Sequence, residues 1–408
     1  MLNKNKYSYL VNLSLVLNSA ILLIPNKFKI YPIILFFIIS FIYYKKSEIK
    51  FPFSFKKVLL ISALLFIYLL TYFYSFQTKD AVFRLSTMSS LLAYPLIFGL
   101  LEASNFKLNS KQIKLIFVSF VIATTLFCVL SFCFFWNQKY TFNETIIHYS
   151  NLINISLGKF SIHPIYLSIY IGISLLMLVY LVNIKTNNYL KIVTGFGAIF
   201  LILILIVLMR KGPIIYLLIA LFYLVKKNFK LTKTIFGIIV VALLMFLFLK
   251  IVPKYRNENR FEDLTENVLL EKPESSTAIR YKIYDCAIEK IIEKPIFGYG
   301  IGNVQNHLDP CYRSKNIDLS IKTYNCHNQF FSIILTAGFL GLILFLFTIY
   351  KIFKILKLNK SDIGISILLF FLLNFLTENV IERENGMLIY SFLLCVFLYQ
   401  DSKSYKSL

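Results

Sequence analysis

Histidines and arginines are the residues of this chain best suited to chemistry. His327 opens an apolar run together with Asn328, and a histidine side chain is suited to proton transfer near neutral pH. A purely structural histidine at that position is the competing interpretation, and the residue types leave both open. The other three, His148, His163 and His307, are not spaced like zinc ligands, so the sequence predicts no metal site.

A second candidate is the short turn Arg210-Lys211-Gly212, which separates two apolar runs. Both cations can be anchors whose long side chains reach the membrane surface. They can equally form an anion site that faces the helix bundle, the usual hypothesis for ionisable residues at such a depth. A short turn keeps these side chains close to the lipid, so an anionic lipid head group is the natural ligand. Position alone does not separate the two interpretations.

Arg280 lies in the first turn of a predicted helix that begins at Ser276 as N-cap and stops before Pro295. We expect this helix to lie along the membrane surface. A cation there opposes the helix macrodipole, but a guanidinium beside free helix N–H groups makes a good diphosphate clamp. An exposed arginine, or one paired with Glu274, is the alternative. The apolar positions recur on one face: Ile279, Ile283, Ala287 and Ile291.

The run Gly298-Tyr299-Gly300-Ile301-Gly302 has the spacing of a nucleotide loop. It lacks the preceding strand and the following helix of a dinucleotide site. We therefore predict a turn at which the backbone approaches another segment closely, and leave a phosphate contact open.

The last turn of the chain is acidic and carries Thr377-Glu378-Asn379 and Glu382-Arg383-Glu384. Its charges can simply pair with one another. Alternatively, they position a sugar acceptor or orient Arg210 or Arg280.

Cys311 and Cys326 lie in the long polar interval 252–328. A bridge between them would close a loop of about 15 residues and stabilise the fold by on the order of 3 kcal/mol. Cys286 is then left over, although pairings that use it stay open. The remaining cysteines fall in apolar runs as packing residues: Cys128, Cys133 and Cys395.

The elements that position these residues are membrane helices. Of 408 residues, 58% are apolar and 15% are charged, and apolar runs near bilayer length predict an all-α polytopic membrane protein. Continuous rather than alternating runs exclude a β-barrel. The first run lacks a cleavage site, so we take it as a retained helix. We predict about twelve spans: 8–24, 30–44, 57–76, 82–101, 114–136, 163–183, 191–209, 213–226, 234–252, 329–350, 362–377 and 386–400.

Lysine blocks between alternate spans account for much of the net charge of +23. That pattern is typical of positive-inside anchoring and places both termini in the cytoplasm. It does not resemble a nucleic-acid-binding domain. We divide the chain into N-terminal membrane helices (1–251), an external loop with a surface helix (252–328), and C-terminal membrane helices (329–408).

The order of these motifs resembles the O-antigen ligase and O-antigen polymerase superfamily. The first half of the chain matches in hydropathy, in Arg84 ahead of Pro95, and in His163-Pro164-Ile165-Tyr166. The second half matches in more residues: Arg210 and Gly212, Arg280, Pro295 with Gly298, Gly300 and Gly302, Cys326-His327-Asn328, Gly338, Gly341, Thr377-Glu378, Glu382-Arg383 and Gly386.

The resemblance implies a GT-C type fold and an inverting glycosyltransferase without metal, nucleotide or other cofactor. Its donor would be an undecaprenyl diphosphate-linked glycan, and its acceptor lipid A core or a growing glycan. The implied location is the bacterial inner membrane, among membrane lipids, with the active face and the long loop in the periplasm.

Carried onto this sequence, the resemblance gives catalytic roles to three residues. Arg210 and Arg280 would hold the diphosphate and stabilise the leaving group. His327 would be the general base, or a group that orients the acceptor or the diphosphate. We assign the following residues to substrate binding: Lys211, which shares the phosphate role with Arg210, and Gly298, Gly300, Asn328, Glu378, Arg383 and His163.

Other functions stay open at this point. A polymerase of repeat units and a protein oligosaccharyltransferase share these motifs with a ligase. A lipid-glycan transporter would place ionisable residues deep in several spans, whereas the charges here cluster at one face. A sensor or assembly scaffold would need no arginine and histidine constellation.

Overall fold

The computed structural model describes residues 2–76, 78–138, 140–183, 188–228, 276–319 and 324–400. Regular structure within these ranges is helical, apart from one isolated bridge between Leu108 and Gln400. The all-α prediction is therefore confirmed for this part of the chain. The predicted span 234–252 and the polar run that follows it lie outside the described residues.

The described α-helices are numbered here in chain order. They are α1 (Leu2–Ser19), α2 (Ile30–Lys46), α3 (Phe55–Tyr72), α4 (Thr78–Thr87), α5 (Ser90–Ala103), α6 (Ser110–Asn137), α7 (Phe142–Ile155), α8 (Pro164–Asn183), α9 (Asn188–Leu208), α10 (Lys211–Asn228), α11 (Ser276–Glu293), α12 (Val304–Ser314), α13 (Gln329–Leu358), α14 (Asp362–Phe375) and α15 (Glu384–Leu398).

Six stretches of the described residues are long and apolar enough to cross a membrane, which makes this a multi-pass membrane protein. Three shorter apolar helices correspond to α9, α14 and α15. The predicted number of about twelve spans exceeds the six that qualify. The six stretches are Asn26–Lys46, Phe55–Tyr72, Thr78–Ala103, Ser110–Asn137, Pro164–Val182 and Gln329–Leu358.

Two predicted spans are interrupted. The span 82–101 divides into α4 and α5 around Met88 and Ser89, within the single stretch Thr78–Ala103. α13 is broken at Gly338, whose φ of 67° lies in the left-handed region. An α-helix cannot continue through that conformation, so α13 consists of two helical pieces.

The predicted helix from Ser276 is confirmed, but its apolar face contacts protein. Ile283, Ala287 and Ile291 are buried in a small second core against α12 and the first half of α13. The position of this helix along the membrane surface stays a prediction, with its apolar face packed on protein. The helix α12, which the sequence did not predict, supplies the partner surface.

Connections that alternate along the chain lie at opposite ends of the helices. The connection before α3 meets the end of α5: Phe51 N–H donates to Ala103 O at 2.7 Å, and Lys57 pairs with Glu102. The other end of α5, together with α4 and the starts of α2, α8 and α15, surrounds a cavity.

Candidate active site

A cavity of about 640 Å³ gathers four of the predicted site residues: His327, Glu378, Arg383 and His163. Its size lies within the usual range for small-molecule sites. Polar groups dominate one part of the wall and apolar or aromatic groups the rest. Its other lining residues are Lys29, Ile30, Ile33, Phe83, Ser86, Thr87, Ser89, Ser90, Asn154, Tyr166, Asn325, Glu382, Glu384, Asn385 and Leu388.

The backbone of His327 is held in a costly conformation by its neighbours. Its φ of 46° is left-handed, which costs a non-glycine residue about 1–3 kcal/mol. The Tyr284 hydroxyl donates to His327 O at 3.0 Å, and His327 N–H donates to Asn325 Oδ1 at 3.1 Å. Asn328 then caps α13 by accepting from two backbone N–H groups. We predicted a substrate contact for Asn328. Its side chain instead caps α13, and the residue does not line the cavity.

The His327 ring is paired with the carboxylate of Glu378. Nδ1 of His327 lies 3.4 Å from Oε2 of Glu378, and neither atom has a closer hydrogen-bond partner within the described ranges. Burial alone would raise the pKa of Glu378. Its contact with His327 and the positive charges of His327, His163 and Arg280 outweigh burial and lower that pKa to about 2.

An ionised Glu378 selects one tautomer of His327. A carboxylate accepts but cannot donate, so the ring proton belongs on Nδ1 and the lone pair on Nε2. A separation of 3.4 Å is longer than a closed hydrogen bond, and catalytic pairs are often this loose without substrate. The arrangement can therefore deliver a general base to the cavity.

Glu382 fixes the turn that carries Glu378. Its Oε1 accepts from Tyr68 at 3.1 Å and from Gln329 at 2.9 Å, and also from Ser332. Its Oε2 accepts from Asn379 at 3.1 Å and lies 3.9 Å from Arg84. The sequence showed Glu382 only as part of a motif. Its role depends on Gln329 and Ser332, which lie three positions apart on one face of α13.

Arg210 lies outside the cavity wall but contacts a helix that contributes to it. Arg210 Nη2 donates to Ser150 Oγ at 3.1 Å, and Asn154, one turn further along α7, lines the cavity. Gly212 lies against the acidic turn, because a Cβ there would be 3.2 Å from Thr377 Oγ1. The turn of Arg210 and Lys211 is thus adjacent to the turn of Glu378.

Arg280 approaches Glu378 from α11. Its charge contributes to lowering the pKa of Glu378, although Arg280 does not line the cavity. One turn further, the Tyr284 hydroxyl is also within 3.3 Å of Leu376 O. α11 therefore brings Arg280 close to the acidic turn, and its Tyr284 contacts both His327 and the residue before that turn.

The glycine run packs against the break in α13. Gly298 and Gly300 have positive φ values, and a Cβ on Gly298 would lie 2.6 Å from Leu335 O. Four successive N–H groups are already bonded: Tyr299 to Leu335 O, Gly300 to Thr336 O, Ile301 to Thr71 Oγ1 and Gly302 to Ser75 Oγ. The predicted close backbone approach is confirmed. A phosphate loop would need those N–H groups free, so this geometry does not support substrate binding by Gly298 and Gly300.

The predicted Cys311–Cys326 bridge is wrong. Cys311 is bonded to Cys286, with a Cα–Cα distance of 5.8 Å. These two cysteines face one another across the packed pair α11 and α12, a proximity that sequence spacing cannot reveal. Cys326 keeps a buried thiol, and burial raises its pKa to about 12.

With this geometry in place, comparison with known proteins is informative. Residues 196–346 match the family described as O-antigen ligase. The resemblance drawn from the sequence is thereby confirmed for this stretch. It contains Arg210, Arg280 and His327. Apart from Asn325, the other residues of the cavity, including Glu378, Arg383 and His163, lie outside the O-antigen ligase match and are brought to His327 by the fold.

A Rickettsia conorii protein named "Putative polysaccharide ligase" is 37% identical to this chain over 98 residues. The aligned stretch covers 23% of each chain. This chain therefore aligns with less than a quarter of its relative's length, and the similarity is to a segment rather than to a whole protein.

Proposed function

We propose that this chain is a bacterial inner-membrane glycosyltransferase that moves a glycan from undecaprenyl diphosphate to lipid A core, as an O-antigen ligase. The observation that carries this proposal is the placement of the His327–Glu378 pair. The pair lines a cavity with many hydroxyl and amide groups, while Arg280 and the turn of Arg210 approach the Glu378 turn from outside the cavity wall. A base between an acceptor pocket and a diphosphate site is what glycan transfer requires.

In the proposed reaction, the acceptor hydroxyl lies in the cavity and gives its proton to Nε2 of His327. The acceptor oxygen then bonds to the anomeric carbon of the donor, and the bond from that carbon to the diphosphate oxygen breaks. The electron pair leaves with the diphosphate. Attack opposite the leaving group inverts the anomeric configuration.

The residues outside the cavity stabilise the negative charge that develops on the leaving diphosphate. Arg210 and Arg280, with Lys211 beside them, hold the diphosphate oxygens. Glu378 stabilises the imidazolium that forms on His327, as an acidic partner does in other base-catalysed sites. A metal ion has no part in this scheme, and the diphosphate charge is carried by cationic side chains.

The proposed orientation has both termini in the cytoplasm and the cavity facing the periplasm. It rests on the lysine distribution. The lysines assign the segments of His163, His327 and Arg383 to the same face, and all three residues line the cavity. This agreement supports the orientation.

The test is glycan transfer in reconstituted vesicles with undecaprenyl diphosphate-linked oligosaccharide, with and without lipid A core, each in the presence of EDTA. Product that appears only with added core supports the ligase. Donor chains that lengthen without core would replace it with a polymerase. Absence of both products from folded wild type would contradict glycan transfer and direct attention to transport.

The orientation is tested separately by introducing single cysteines. A cysteine at Lys159 should react with an impermeant maleimide from outside, and one at Lys357 should not. The reverse labelling would place the cavity on the cytoplasmic face and exclude the periplasmic reaction.

A further inference from the structure

Lys29 is a buried cation in the wall of the cavity. The residue is 2% exposed. Its Nζ donates to Asn26 Oδ1 at 2.7 Å and to Asn385 Oδ1. An ammonium carries three N–H donors, and both partners are neutral amides. Burying a charged group whose hydrogen-bond partners are neutral is costly. We therefore expect another group to compensate the charge of Lys29.

A second cation lies two residues before Asn385, which accepts from Lys29. Arg383 is exposed, lines the same cavity, and directly precedes the Glu384 and Asn385 of α15. Glu384 is the acidic group close enough to interact with the charge of Lys29. This corner of the cavity, formed by Lys29, Arg383 and Glu384, therefore holds two positive charges and one negative charge.

The remaining acidic groups of the wall do not neutralise that corner. Glu378 faces His327, with Nδ1 at 3.4 Å. Glu382 accepts from Tyr68, Gln329, Ser332 and Asn379 and lies near Arg84. Each of these two carboxylates therefore has partners other than Lys29 and Arg383, including Arg84 for Glu382 and Arg280 for Glu378.

Helix dipoles add to the positive potential. α2 begins after Lys29, α5 after Ser89 and α15 after Arg383, and all three of these residues line the cavity. None of the three helices has a side-chain hydrogen bond at its N-cap. Helix N-termini carry partial positive charge and attract anions. Here α2 and α15 begin directly after the two cations, and α5 begins at the wall of the same cavity.

We propose that this corner is a subsite for an anionic group, a phosphate or a carboxylate, on the acceptor glycan. Lys29 and Arg383 are its specificity-determining residues. The inference rests on the proposed function in taking the cavity as the acceptor pocket. It adds that the pocket selects a charged sugar over a neutral one.

The subsite is tested by binding, without donor and without transfer. The probes are three disaccharides that differ at one position only: a neutral hydroxymethyl group, the corresponding carboxylate, and the corresponding phosphate ester. Titration calorimetry on the full chain in lipid nanodiscs gives Kd for each. Lys29→Gln and Arg383→Gln remove the charges, and Lys27→Gln is the matched control, since Lys27 is exposed and does not line the cavity.

Wild type should bind at least one anionic disaccharide about tenfold or more tightly than the neutral one. Lys29→Gln and Arg383→Gln should each lose that preference, measured as the ratio of the two affinities, while Lys27→Gln keeps it. Tighter binding of the phosphate ester or of the carboxylate identifies the group that is read. If burial of Lys29 makes Lys29→Gln unfold, the exposed Arg383→Gln decides alone.

Equal affinity of wild type for all three probes, or no binding of any, would overturn the subsite. A preference that survives in folded variants would also overturn it. Because no donor is present, a charge preference in a protein that transfers no glycan would contradict the proposed reaction and leave the subsite standing.

Discussion

His327 and Glu378 form a pair across the bundle, with Nδ1 and Oε2 3.4 Å apart, although one precedes α13 and the other follows α14. Neither residue could meet the other without the packing of these helices. The pair gives His327 a defined tautomer, the one that the proposed base requires.

Replacing His327 by alanine should reduce glycan transfer by about 10²- to 10⁴-fold, the usual contribution of a positioned base. The loss should fall on kcat, since the proton moves in the transition state. Transfer in vesicles measures it. His148→Ala is the control, because His148 is exposed and absent from the cavity wall. Equal activity of the two variants would remove the base from the mechanism.

Glu378 should stabilise the fold in a pH-dependent manner. Its folded pKa of about 2 lies below the ordinary value of 4.5, so its ionisation contributes stability above about pH 4.5. That contribution is lost as pH falls from about 4.5 towards 2. Thermal unfolding of wild type and Glu378→Gln between pH 6 and pH 3 should therefore converge. A gap in Tm that stays constant over this range would contradict the low pKa.

Loss of either predicted diphosphate ligand should slow transfer without unfolding the protein. We expect Arg210→Ala and Arg280→Ala each to cost about 10²- to 10³-fold, the effect of removing one donor to a developing negative charge. Arg313→Ala serves as control, because Arg313 is exposed at the end of α12 and outside the cavity. Full activity of Arg210→Ala would favour the interpretation of Arg210 as a membrane anchor.

The Cys286–Cys311 bond should be found by peptide mapping under non-reducing conditions. With a sequence separation of 25, its removal should destabilise the protein by about 3.5 kcal/mol in the chain-entropy model. Cys311→Ala should lower Tm and free Cys286 for alkylation, whereas Cys133→Ala, which removes an exposed free thiol, should do neither. A linked peptide that contains Cys326 would restore the pairing expected from spacing.

Gly338→Ala should strongly destabilise the fold, because a Cβ there would lie 1.9 Å from Ile296 O and φ is 67°. We expect a cost of about 2 kcal/mol or more, visible as a lower Tm in detergent. Gly195→Ala is the matched control: no atom lies within 4 Å of its added Cβ, and alanine favours a helix by up to about 1 kcal/mol. Similar Tm values for the two variants would show that the break tolerates a side chain.

The sequence by itself determined the class of protein and most of its helices. Apolar runs near bilayer length can be satisfied only by helices, so α2, α3, α6 and α8 fall close to their predicted bounds. The helix from Ser276 was equally predictable, because capping and periodicity are local signals. The motif order also indicated the family that residues 196–346 match.

Only the tertiary structure decided which residues share a site. His163, His327, Glu378 and Arg383 meet because helices distant in sequence pack together, and no local pattern encodes that contact. The same reason explains the misassigned disulfide: Cys286 and Cys311 lie on helices whose packing brings them together. Lys29 was counted as one of many lysines, and its burial in the cavity wall depends on Asn385 at the far end of the chain.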